Sequence, residues 1–509
     1  MNLKDRLTEP AFRLVGEAAD SLGREAYVVG GYVRDIFLDR PSKDVDFVTV
    51  GSGIELAKEV ARRMTRPGRR APRLAVYANF GTAQLHHRDV ELEFVGARKE
   101  SYHRESRNPI VEDGTLEDDQ RRRDFTINAM AICVNSDRYG ELVDPFDGLG
   151  DIDRKTIRTP LDPDMTFSDD PLRMMRAIRF ATQLGFFIDK PTFEAIRRNR
   201  ARIEIISKER INDELSKIMR SARPSVGFKL LDMAGLLELI FPELHALKGV
   251  ETQEGRGHKD NFFHTLQVVD NVAAKSDDEW LRWAALLHDI AKPVVKRYDK
   301  RLGWTFHNHN YIGEKMIPRI FRRMKLPLNE KMKFVAKMVG LHMRPQSVAD
   351  DGVSDSGVRR LITDAGEDLE SLMLLCEADI TSKIPEKVRR QLEGFSRLRQ
   401  RMAEINAADD YRKWKNPVGG DEIMERYGIP PSPLIAEYKE VVKDAIFEGK
   451  IPNDHDAAIA LLDALHAERA GNSAAIPAGV PPEQPATDPE APSVSREDAD
   501  TPLDGIKNL

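Results

Sequence analysis

Hydrophobic positions along the first 150 residues follow two different spacings. Apolar side chains recur at helical spacing over residues 3–22, 32–38, 54–64 and 124–134. Short apolar or alternating runs, which predict strands, cover residues 26–29, 43–50, 74–77 and 82–95. The charged stretch 99–123 has no period and carries Pro109 and Gly114, so we expect a mobile loop there. Short strands mixed with helices predict an α/β or α+β head with a small mixed sheet.

Beyond about residue 165 the strand signals stop and helical periodicity continues, which predicts an all-α remainder. The last 39 residues hold 7 of the 29 prolines and almost no large apolar side chains, so we expect them to be disordered. The predicted multidomain organisation is an N-terminal helix (1–25), a head (26–160), a helical neck and body (161–257), a further helical domain (258–390), C-terminal helices (391–470) and a disordered acidic tail (471–509).

The composition of the 509 residues agrees with several soluble globular domains, since 41% of them are apolar and 32% are charged. Only two cysteines occur, Cys133 and Cys376, which is too few for a disulfide framework and favours a reducing compartment. No run of 18 apolar residues predicts a membrane span, and the N-terminus leads into no apolar signal segment. We therefore expect a cytoplasmic protein with no membrane partner.

Two carboxylates in the second predicted strand indicate a metal site. Asp44 and Asp46 are two residues apart, so both side chains project from one face of the strand. Carboxylates about 4 Å apart repel by roughly 4 kcal/mol at an effective dielectric of 20, and Mg²⁺ removes that repulsion. Glu91 and Glu93 repeat the pattern in a later strand. Strand carboxylates around metal ions can support nucleotidyl transfer, although a lone D-x-D is more often the solvent face of an amphipathic strand.

A glycine pair lies between the first predicted strand and the helix after it. Gly30 and Gly31 would let the backbone approach a phosphate at a helix N-terminus, although most such pairs are tight turns. Arg34 follows one helical turn later, where a guanidinium can reach a triphosphate. Asp35 would orient this arginine or pair elsewhere.

These motifs resemble a known family. GGYVRD at 30–35 and KDVDF at 43–47 look like the signature of the class II tRNA nucleotidyltransferase and bacterial poly(A) polymerase family. Similar motifs follow in the expected order, RRDFTINAM at 122–130, DPFDG at 144–148, SDDPLRMMR at 168–176 and KER at 208–210 through Glu214. The resemblance covers about residues 25–225. It implies an enzyme that adds CCA, from CTP and ATP, to the 3′ end of tRNA.

The resemblance also implies a role for each matching residue. Asp44 and Asp46 would hold Mg²⁺, and Glu93 rather than Glu91 would be the third catalytic carboxylate, because EFVGAR keeps the family's spacing between the glutamate and its arginine. Arginines would neutralise the triphosphate, Asn128 would contact the ribose, and Asp170 with Arg173 would pair with the base. The full set of nucleotide-binding candidates is Gly30, Gly31, Arg34, Arg123, Asp124, Asn128, Asp170, Arg173 and Arg176.

The SDDPLRMMR segment indicates how a protein can select a base without a template. Ser168 is a good helix N-cap and Pro171 fits a first turn, while Asp169, Asp170 and Arg173 would share one helix face. Their fixed donors and acceptors match the Watson–Crick edge of a base, although ordinary capping and ion pairs give the same pattern. The family usually has glutamate at the position of Asp169, which leaves the contribution of this shorter side chain open.

A second group of candidate ligands lies in the helical remainder. Seven of the twelve histidines fall between His245 and His342, mostly beside apolar runs, where a buried ring needs a partner. Their order resembles the HD phosphohydrolase superfamily, with Mn²⁺, Ni²⁺, Fe²⁺, Zn²⁺ or Mg²⁺ as suitable metals. The implied ligands are His264, His288, Asp289 and Asp379, with His309 and His342 for a second metal or a phosphate. The implied substrates are 2′,3′-cyclic phosphates or nucleotide monophosphates, and the alternative is a relic fold that only binds RNA.

Several alternatives share these motifs. A poly(A) polymerase is disfavoured by the acidic tail and the complete histidine set, whereas addition of only CC or only A stays open. A phosphohydrolase with an inactive head, or a non-catalytic RNA-binding module, is disfavoured by the intact Asp44, Asp46 and Glu93. The sequence does not predict an oligomeric state.

The charge distribution bears on the RNA partner. The net charge of −6 argues at first against a nucleic-acid binder. The tail 471–509 contributes −5 of it, which leaves −1 for the rest of the chain. Residues 171–230 hold 14 basic and 6 acidic residues, a local charge of +8. We expect the phosphates of the tRNA to lie along this predicted neck.

Overall fold

The computed structural model describes residues 1–473 apart from 66–71, 88–89, 102–109, 254–255, 258–259, 350–352, 383 and 409–413. The chain divides into two compact units, residues 1–414 and residues 415–509. The first unit begins with a mixed sheet and continues as a largely helical body. No described helix is both long enough and apolar enough to cross a bilayer.

The head of the first unit is built on a seven-stranded mixed sheet. Its elements are α1 (Pro10–Ser21), β1 (Ala26–Val29), α2 (Gly31–Phe37), β2 (Asp44–Thr49), α3 (Gly53–Met64), β3 (Leu74–Tyr77), β4 (Thr82–His87), β5 (Val90–Gly96), β6 (Arg98–Ser101), β7 (Ile110–Asp113), α4 (Leu116–Arg121), β8 (Ala131–Cys133), β9 (Leu142–Val143) and α5 (Gly148–Asp153). The strand order is β3-β4-β5-β2-β1-β8-β9, and β2 and β5 form its parallel pair. The small mixed sheet predicted from the sequence is therefore confirmed.

Alternation along β2 and β5 separates the core from the polar face. Phe47 of β2 stacks on Phe94 of β5 with ring centroids 5.2 Å apart, and Phe12 of α1 packs on Phe47 at 5.9 Å. All three rings are fully buried. Since neighbouring side chains of a strand point to opposite faces, the carboxylates of Asp46 and Glu93 project away from this aromatic core.

Two predictions within the head are wrong. Residues 124–134 form no regular helix but a short 3-10 turn, Thr126–Asn128, followed by β8, which pairs antiparallel with β1. Three buried apolar residues cannot be assigned by periodicity alone, and pairing with a central strand decides the outcome. The described part of 99–123 is not an irregular loop either, because β6 pairs with β7 and α4 begins at a capping box of Thr115 and Asp118. Residues 102–109 of the predicted mobile loop lie outside the described residues.

The rest of the first unit is largely helical, as predicted, with a few short strand pairs. Its elements are β10 (Thr156–Ile157), α6 (Pro163–Asp169), α7 (Leu172–Leu184), β11 (Phe187–Ile188), α8 (Lys190–Asn199), α9 (Lys208–Met219), α10 (Pro224–Met233), α11 (Leu237–Ile240), α12 (Pro242–His245), β12 (Thr252–Gln253), β13 (Arg256–Gly257), α13 (Asn261–Ala273), α14 (Glu279–Leu287), α15 (Lys292–Val295), β14 (Arg297–Asp299), β15 (Gly303–Thr305), α16 (His309–Met324), α17 (Glu330–Leu341), α18 (Arg344–Val348), α19 (Asp355–Ala365), α20 (Leu369–Ala378) and α21 (Pro385–Ala408).

The start of the predicted base-selecting helix differs from the prediction. Ser168 lies inside α6 and is not an N-cap, and α7 begins only after Pro171. Asp170 separates the two helices with extended dihedral angles (φ −133°, ψ 99°), so helical spacing does not place it on one face with Asp169 and Arg173. The Asp170 carboxylate instead accepts a hydrogen bond from the Leu172 amide at 3.1 Å, which starts α7.

The described part of the second unit contains the helices α22 (Gly420–Tyr427), α23 (Pro433–Phe447) and α24 (His455–Ser473). Tyr427 stacks on His466 with ring centroids 4.6 Å apart, and the Tyr438 hydroxyl lies 3.0 Å from His466 Nδ1. Helix α24 reaches three residues into the predicted tail. The remaining tail, 474–509, for which disorder was predicted, lies outside the described residues.

Candidate active sites

Strand register brings the predicted carboxylates together on the head sheet. Asp46 lies opposite Glu93 in the parallel β2–β5 pair, and Asp44 lies opposite Glu91 one step earlier. Burial raises the pKa of Asp46 against the opposing effect of Arg123, and the neighbouring Asp44 adds to the rise. Burial and the charge of Asp46 also raise the pKa of Glu93. Such clustered acids are costly to ionise together, and a divalent cation with oxygen ligands offsets that cost.

The glycine turn between β1 and α2 permits a close approach at this site. Gly30 has φ 75° and ψ −133°, a conformation that residues with a Cβ rarely adopt. A Cβ at this position would lie 2.9 Å from the Arg123 guanidinium and 3.5 Å from Asp46 Oδ2. Gly30 therefore lets the backbone, an arginine and a carboxylate converge. At Gly31, a Cβ would lie 3.6 Å from the Arg34 guanidinium.

The two head arginines are held by side chains behind them. Arg34 pairs with Asp35 at 2.9 Å and donates to Asn128 Oδ1 at 2.9 Å. Arg123 pairs with Asp119 at 3.0 Å and donates to the Asn128 carbonyl oxygen at 3.3 Å. These contacts fix the orientation of both guanidinium groups before any anion binds.

Asp119 is a positioning residue that the sequence reading missed. Asp119 lies in α4, and its side chain is fully buried. It pairs with both Arg122 and Arg123, which directly follow the helix. Burial opposes its ionisation, but the two arginines outweigh that effect and lower the pKa of Asp119. The spacing of an acid three and four residues before an arginine pair was the available signal, and the prediction of an irregular loop hid it.

Asp124 is enclosed by its own partners. Its Oδ1 accepts from the Asn128 amide at 3.1 Å, and its Oδ2 pairs with Arg176 of α7 at 2.6 Å. Burial opposes ionisation, but Arg176 and Asn128 outweigh it and lower the pKa of Asp124 to about 2. The carboxylate therefore orients Asn128 and Arg176.

Three guanidinium groups lie close to one aromatic ring of α7. Phe180 has Arg179 at 3.8 Å, Arg34 at 5.2 Å and Arg176 at 5.5 Å from its ring centroid. Arg179 is in turn paired with the buried Glu214 at 2.5 Å. Phe180 and Arg179 were not predicted, since an apolar residue in a helix gives no signal of a cation–π platform.

The two predicted base-selecting residues have different partners. Arg173 donates to the Arg122 carbonyl oxygen at 2.6 Å, and Arg210 donates to Asp170 Oδ2 at 3.3 Å. Within the described residues Asp170 and Arg173 form no ion pair with one another. The basic residues of α7 and α9 thus lie next to the same segment that carries the candidate base contacts.

The predicted histidine cluster is assembled within the helical body. All four rings are buried, and their Nε2 atoms converge on two carboxylates. One group of candidate ligands comprises His264, His288 and Asp379, and the other comprises Asp289, His309 and His342, with the ligand atoms of each group within 4.8 Å of one another. All six residues implied by the HD resemblance therefore share one cluster.

Asp289 lies between the two groups. Its Oδ2 lies 3.2 Å from His288 Nε2 and 3.6 Å from His264 Nε2, while its Oδ1 lies 3.3 Å from His309 Nε2 and 3.9 Å from His342 Nε2. One oxygen of Asp289 thus faces each group of candidate ligands. Asp379 completes the first group, with Oδ1 2.9 Å from His264 Nε2.

The opposite ring nitrogens are fixed by hydrogen bonds. Nδ1 of His288, His309 and His342 each lies 2.7 to 2.8 Å from a backbone carbonyl oxygen of the preceding turn, and His264 Nδ1 lies 2.8 Å from Thr381 Oγ1. A carbonyl oxygen only accepts, so Nδ1 of His288, His309 and His342 carries a proton, and Nε2 of each keeps its lone pair when the ring is neutral. This is the arrangement of metal-ligating histidines.

Electrostatics in the cluster keeps most rings neutral. Burial lowers the pKa of His342 to about 4 and also lowers the pKa of His264 and His309. Burial opposes protonation of His288 as well, but Asp289 outweighs it and raises the pKa of His288 to about 9. His288 Nε2 forms no well-directed hydrogen bond within the described residues, so a metal at this position would satisfy it and displace the proton.

Lys292 is a further residue of this site that the sequence reading missed. Its ammonium lies 2.6 Å from Asp289 Oδ2, one helical turn after it. The position is three residues beyond the HD dipeptide, so the spacing itself was the available signal. Lys292 helps to keep the Asp289 carboxylate ionised, and the pKa of Asp289 is well below its ordinary value because His288 and Lys292 outweigh its burial.

Comparison with protein families defines the class of the molecule. A family model for the poly(A) polymerase head domain matches residues 26–158, and one for a probable RNA- and SrmB-binding site of polymerase A matches residues 185–248. The HD domain model matches residues 261–384. The chain thus has a nucleotidyltransferase head followed by an RNA-binding segment and an HD domain.

Comparison with whole proteins narrows the class to a family. An A-adding tRNA nucleotidyltransferase of Deinococcus radiodurans is 33% identical over 67% of this chain and 78% of its own length. A multifunctional CCA protein of Shewanella frigidimarina is 33% identical over 59% and 70%, respectively. A crystal structure of a tRNA nucleotidyltransferase with a primer tRNA and an incoming ATP analogue is 28% identical, with a TM-score of 0.53 over 76% of this chain and 98% of that one. The chain belongs to the tRNA nucleotidyltransferase family.

Proposed function

We propose that this enzyme adds CCA to the 3′ end of tRNA, one nucleotide at a time, from CTP and ATP. The observation that carries the proposal is the register of β2 and β5, which sets Asp46 opposite Glu93 next to the Gly30 turn and Arg123. Relatives of this family that act on tRNA and a solved complex with tRNA and an ATP analogue support the same reaction.

The chemistry assigned to the head residues follows from their geometry. Asp44 and Asp46 would hold Mg²⁺, which when bound supplies acidity at the 3′-hydroxyl and charge neutralisation at the triphosphate. The 3′ oxygen forms a bond to the α-phosphorus, the bond between the α-phosphorus and the bridging oxygen breaks, and pyrophosphate leaves. Glu93 would assist as a metal ligand or as the base that accepts the hydroxyl proton. Arg34 and Arg123 would bind the triphosphate oxygens.

Base selection is proposed for the segment at the start of α7. Asp170 and Arg173 would present acceptors and donors to the edge of cytosine or adenine. Arg176, oriented by Asp124 and Phe180, would contact the nucleotide from the same side, and Asn128 would contact the ribose. The basic segment 171–230 would hold the phosphates of the tRNA acceptor end.

Addition of A alone is the second candidate for the head. It is favoured by the A-adding relative from Deinococcus radiodurans. The test is to incubate the protein with tRNA ending before CCA, with tRNA ending in CC, and with CTP, ATP or both, and to sequence the added nucleotides. CCA on the first substrate is the expected result, and addition of A only to the CC-ended substrate would replace CCA addition by the second candidate.

For the HD domain we propose a metal-dependent phosphohydrolase. Six convergent ligands, three of them histidines whose Nδ1 faces a backbone carbonyl oxygen, and one carboxylate facing both groups support it. The nitrogen-rich ligand set favours Mn²⁺, Fe²⁺, Ni²⁺ or Zn²⁺ over Mg²⁺. In the reaction the oxygen of water forms a bond to phosphorus, the ester P–O bond breaks, and the leaving oxygen takes up a proton. The proposed substrates are 2′,3′-cyclic phosphates or nucleotide monophosphates.

Metal analysis and hydrolysis assays test this second activity. The protein should contain transition metal bound by the HD residues, and it should hydrolyse a 2′,3′-cyclic nucleotide or a nucleotide monophosphate. Absence of both metal and hydrolysis would leave the domain as an RNA-binding body. A cytoplasmic location stays a prediction, which rests on the proposed tRNA substrate and the two unpaired cysteines.

A further inference from the structure

A groove leads away from the HD cluster along helix α21. The first part is a cavity of about 470 Å³ beside His264 and Asp379. The second part is a cavity of about 410 Å³ between α18 and α21. Both parts are lined by Gln346, Lys387 and Gln391, so the two cavities adjoin one another.

The far part of the groove is basic. It is lined by Arg390 and Arg397 as well as Lys387, and no acidic residue lines it. Lys387 and Arg390 are exposed, and neither forms an ion pair with a described residue. The ammonium group of Lys387 and the guanidinium group of Arg390 can therefore bind an anion. Gly394, the single glycine of α21, lines the same cavity and, because it has no side chain, leaves space there.

These residues form one stripe along α21. Positions 387, 390, 394 and 397 are spaced three and four apart, so they lie on one face of the helix. At 1.5 Å per residue the stripe is about 15 Å long. A stacked nucleic-acid strand has a phosphate every ~3.4 Å, so several phosphates match this length, whereas a single nucleotide brings its charge to one end only.

We infer that the HD site acts on the phosphorylated 3′ end of a single-stranded RNA, with the preceding nucleotides bound along α21. The inference deepens the phosphohydrolase function proposed above and rests on it. The terminal phosphate lies at the His264–Asp379 end, and the upstream phosphates lie against Lys387, Arg390 and Arg397. Gln346 and Gln391, at the junction, offer amide donors and acceptors to a base or a ribose. The basic residues that would bind the upstream phosphates thus come from α21, beyond the HD family match that ends at residue 384.

Hydrolysis supplies the first test. The full-length protein is assayed on a 2′,3′-cyclic mononucleotide and on a five-nucleotide RNA with a 2′,3′-cyclic end. The RNA should have a KM at least tenfold lower. Arg390→Gln should raise the KM for the RNA roughly fivefold to tenfold and leave both the kcat and the KM for the mononucleotide unchanged. Equal KM values for the two substrates, unaffected by Arg390→Gln, would overturn the inference and leave the phosphohydrolase function standing.

Arg389→Gln is the matched control. Arg389 is the neighbour of Arg390 in α21, carries the same charge, is 74% exposed, faces Glu393 at 3.8 Å and does not line the groove. Its substitution should change neither KM. An equal effect of the two substitutions on the KM for the RNA would mean that only net charge matters, and would contradict RNA binding in the groove.

Binding supplies a second readout that does not depend on hydrolysis. Fluorescence anisotropy is measured with the same RNA ending in a 3′-phosphate, which cannot accept a nucleotide at the head. Arg390→Gln should weaken binding and lower the salt dependence by about 0.7 in the log–log slope, and Arg389→Gln should not. If the protein hydrolysed neither substrate, the phosphohydrolase proposal would fail, and this loss of binding would still uphold the groove. A phosphoserine peptide that bound as tightly as the RNA would overturn the assignment to nucleic acid.

Discussion

The head cluster gathers three candidate carboxylates and the HD cluster six candidate ligands, and the two clusters balance their charges in opposite ways. On the head sheet, Asp46 and Glu93 lie opposite one another with raised pKa values, and Arg123 offsets only part of the rise at Asp46. In the HD domain, Asp289 is surrounded by buried rings and Lys292, and its pKa is depressed. The head cluster thus keeps an excess of acidity that a cation would relieve, whereas His288 and Lys292 offset the carboxylate charge in the HD cluster.

The two clusters also differ in how the chain builds them. Strand register aligns the head carboxylates, so two short segments suffice. The HD ligands come from the helices α13 and α16 and from the C-terminal ends of α14, α17 and α20, and only tertiary packing brings them together. Each site should therefore be removable by one substitution without loss of the other.

The largest expected effect is that of Asp46→Ala. Loss of a shared metal ligand should reduce nucleotide addition by about 10³-fold or more, while the circular dichroism spectrum and HD hydrolysis stay as in the wild type. Glu91→Gln is the control on the same sheet, since Glu91 is aligned with Asp44 and not with Asp46. It should keep most of the activity, and an equal loss in both variants would contradict the choice of Glu93 over Glu91.

Asp289→Asn should have the next largest effect, on the other site. The amide cannot bridge two cations as a carboxylate does, so the metal content of the purified protein and its hydrolase activity should both fall sharply. Metal analysis and hydrolysis rates measure the two losses. Retention of metal would show that Asp289 is not a shared ligand. CCA addition should continue at the wild-type rate, which distinguishes this variant from Asp46→Ala.

Asp124→Asn tests the contribution of a buried head carboxylate to the free energy of unfolding. The substitution breaks the pair with Arg176, at a cost of up to about 3 kcal/mol at neutral pH. The pKa of Asp124 is about 2 in the folded state against 3.8 for an ordinary aspartate, so its contribution is present above about pH 4 and declines as the pH falls towards 2. Denaturant unfolding should therefore show a difference between wild type and variant that narrows below pH 4. If the difference in unfolding free energy between wild type and variant stayed constant with pH, the charge of Asp124 would not contribute to stability.

A matched control for this variant is Asp164→Asn. Asp164 pairs with Arg198 at the surface, where both side chains are roughly half exposed. Exposed ion pairs contribute about 0 to 1 kcal/mol, so this variant should unfold almost as the wild type does.

The smallest expected effect is that of Thr381→Val. Valine keeps the shape of threonine but removes the hydroxyl 2.8 Å from His264 Nδ1. Loss of such an orienting contact weakens metal affinity by about 10-fold to 100-fold, which competition with a chelator measures. Ser382→Ala, in the same loop, is the control, because its hydroxyl accepts from the Ile384 amide and contacts no described histidine. Equal affinities for all three proteins would show that the hydroxyl does not orient the ring.

Sequence reasoning recovered the residues whose chemistry is local. Alternation along one strand was enough to place Asp44 and Asp46 on one face, and the glycine pair marked the turn beside them. It did not recover residues whose role depends on distant partners. Asp119 was hidden in a segment read as a loop, and Phe180 had no polar atom to draw attention to it.

The same limit explains one of the errors in secondary structure. The segment 124–134 has helical spacing, yet a buried partner strand makes β8 from its last residues. Asp170 was placed inside a helix although Pro171, the next residue, disfavours helical dihedral angles at Asp170 and was a local signal for the break between α6 and α7. At β8 a tertiary contact outweighs a weak local preference, whereas at Asp170 the effect of the following proline was overlooked.

The most direct test of the account measures nucleotide addition by three proteins side by side. Wild type, Asp46→Ala and Asp289→Asn are each incubated with tRNA that lacks CCA, together with CTP and ATP, and the 3′ ends are sequenced. The account predicts CCA addition by the wild type and by Asp289→Asn, and none by Asp46→Ala. CCA addition by Asp46→Ala at the wild-type rate would contradict the central claim that the β2–β5 carboxylates carry nucleotide transfer.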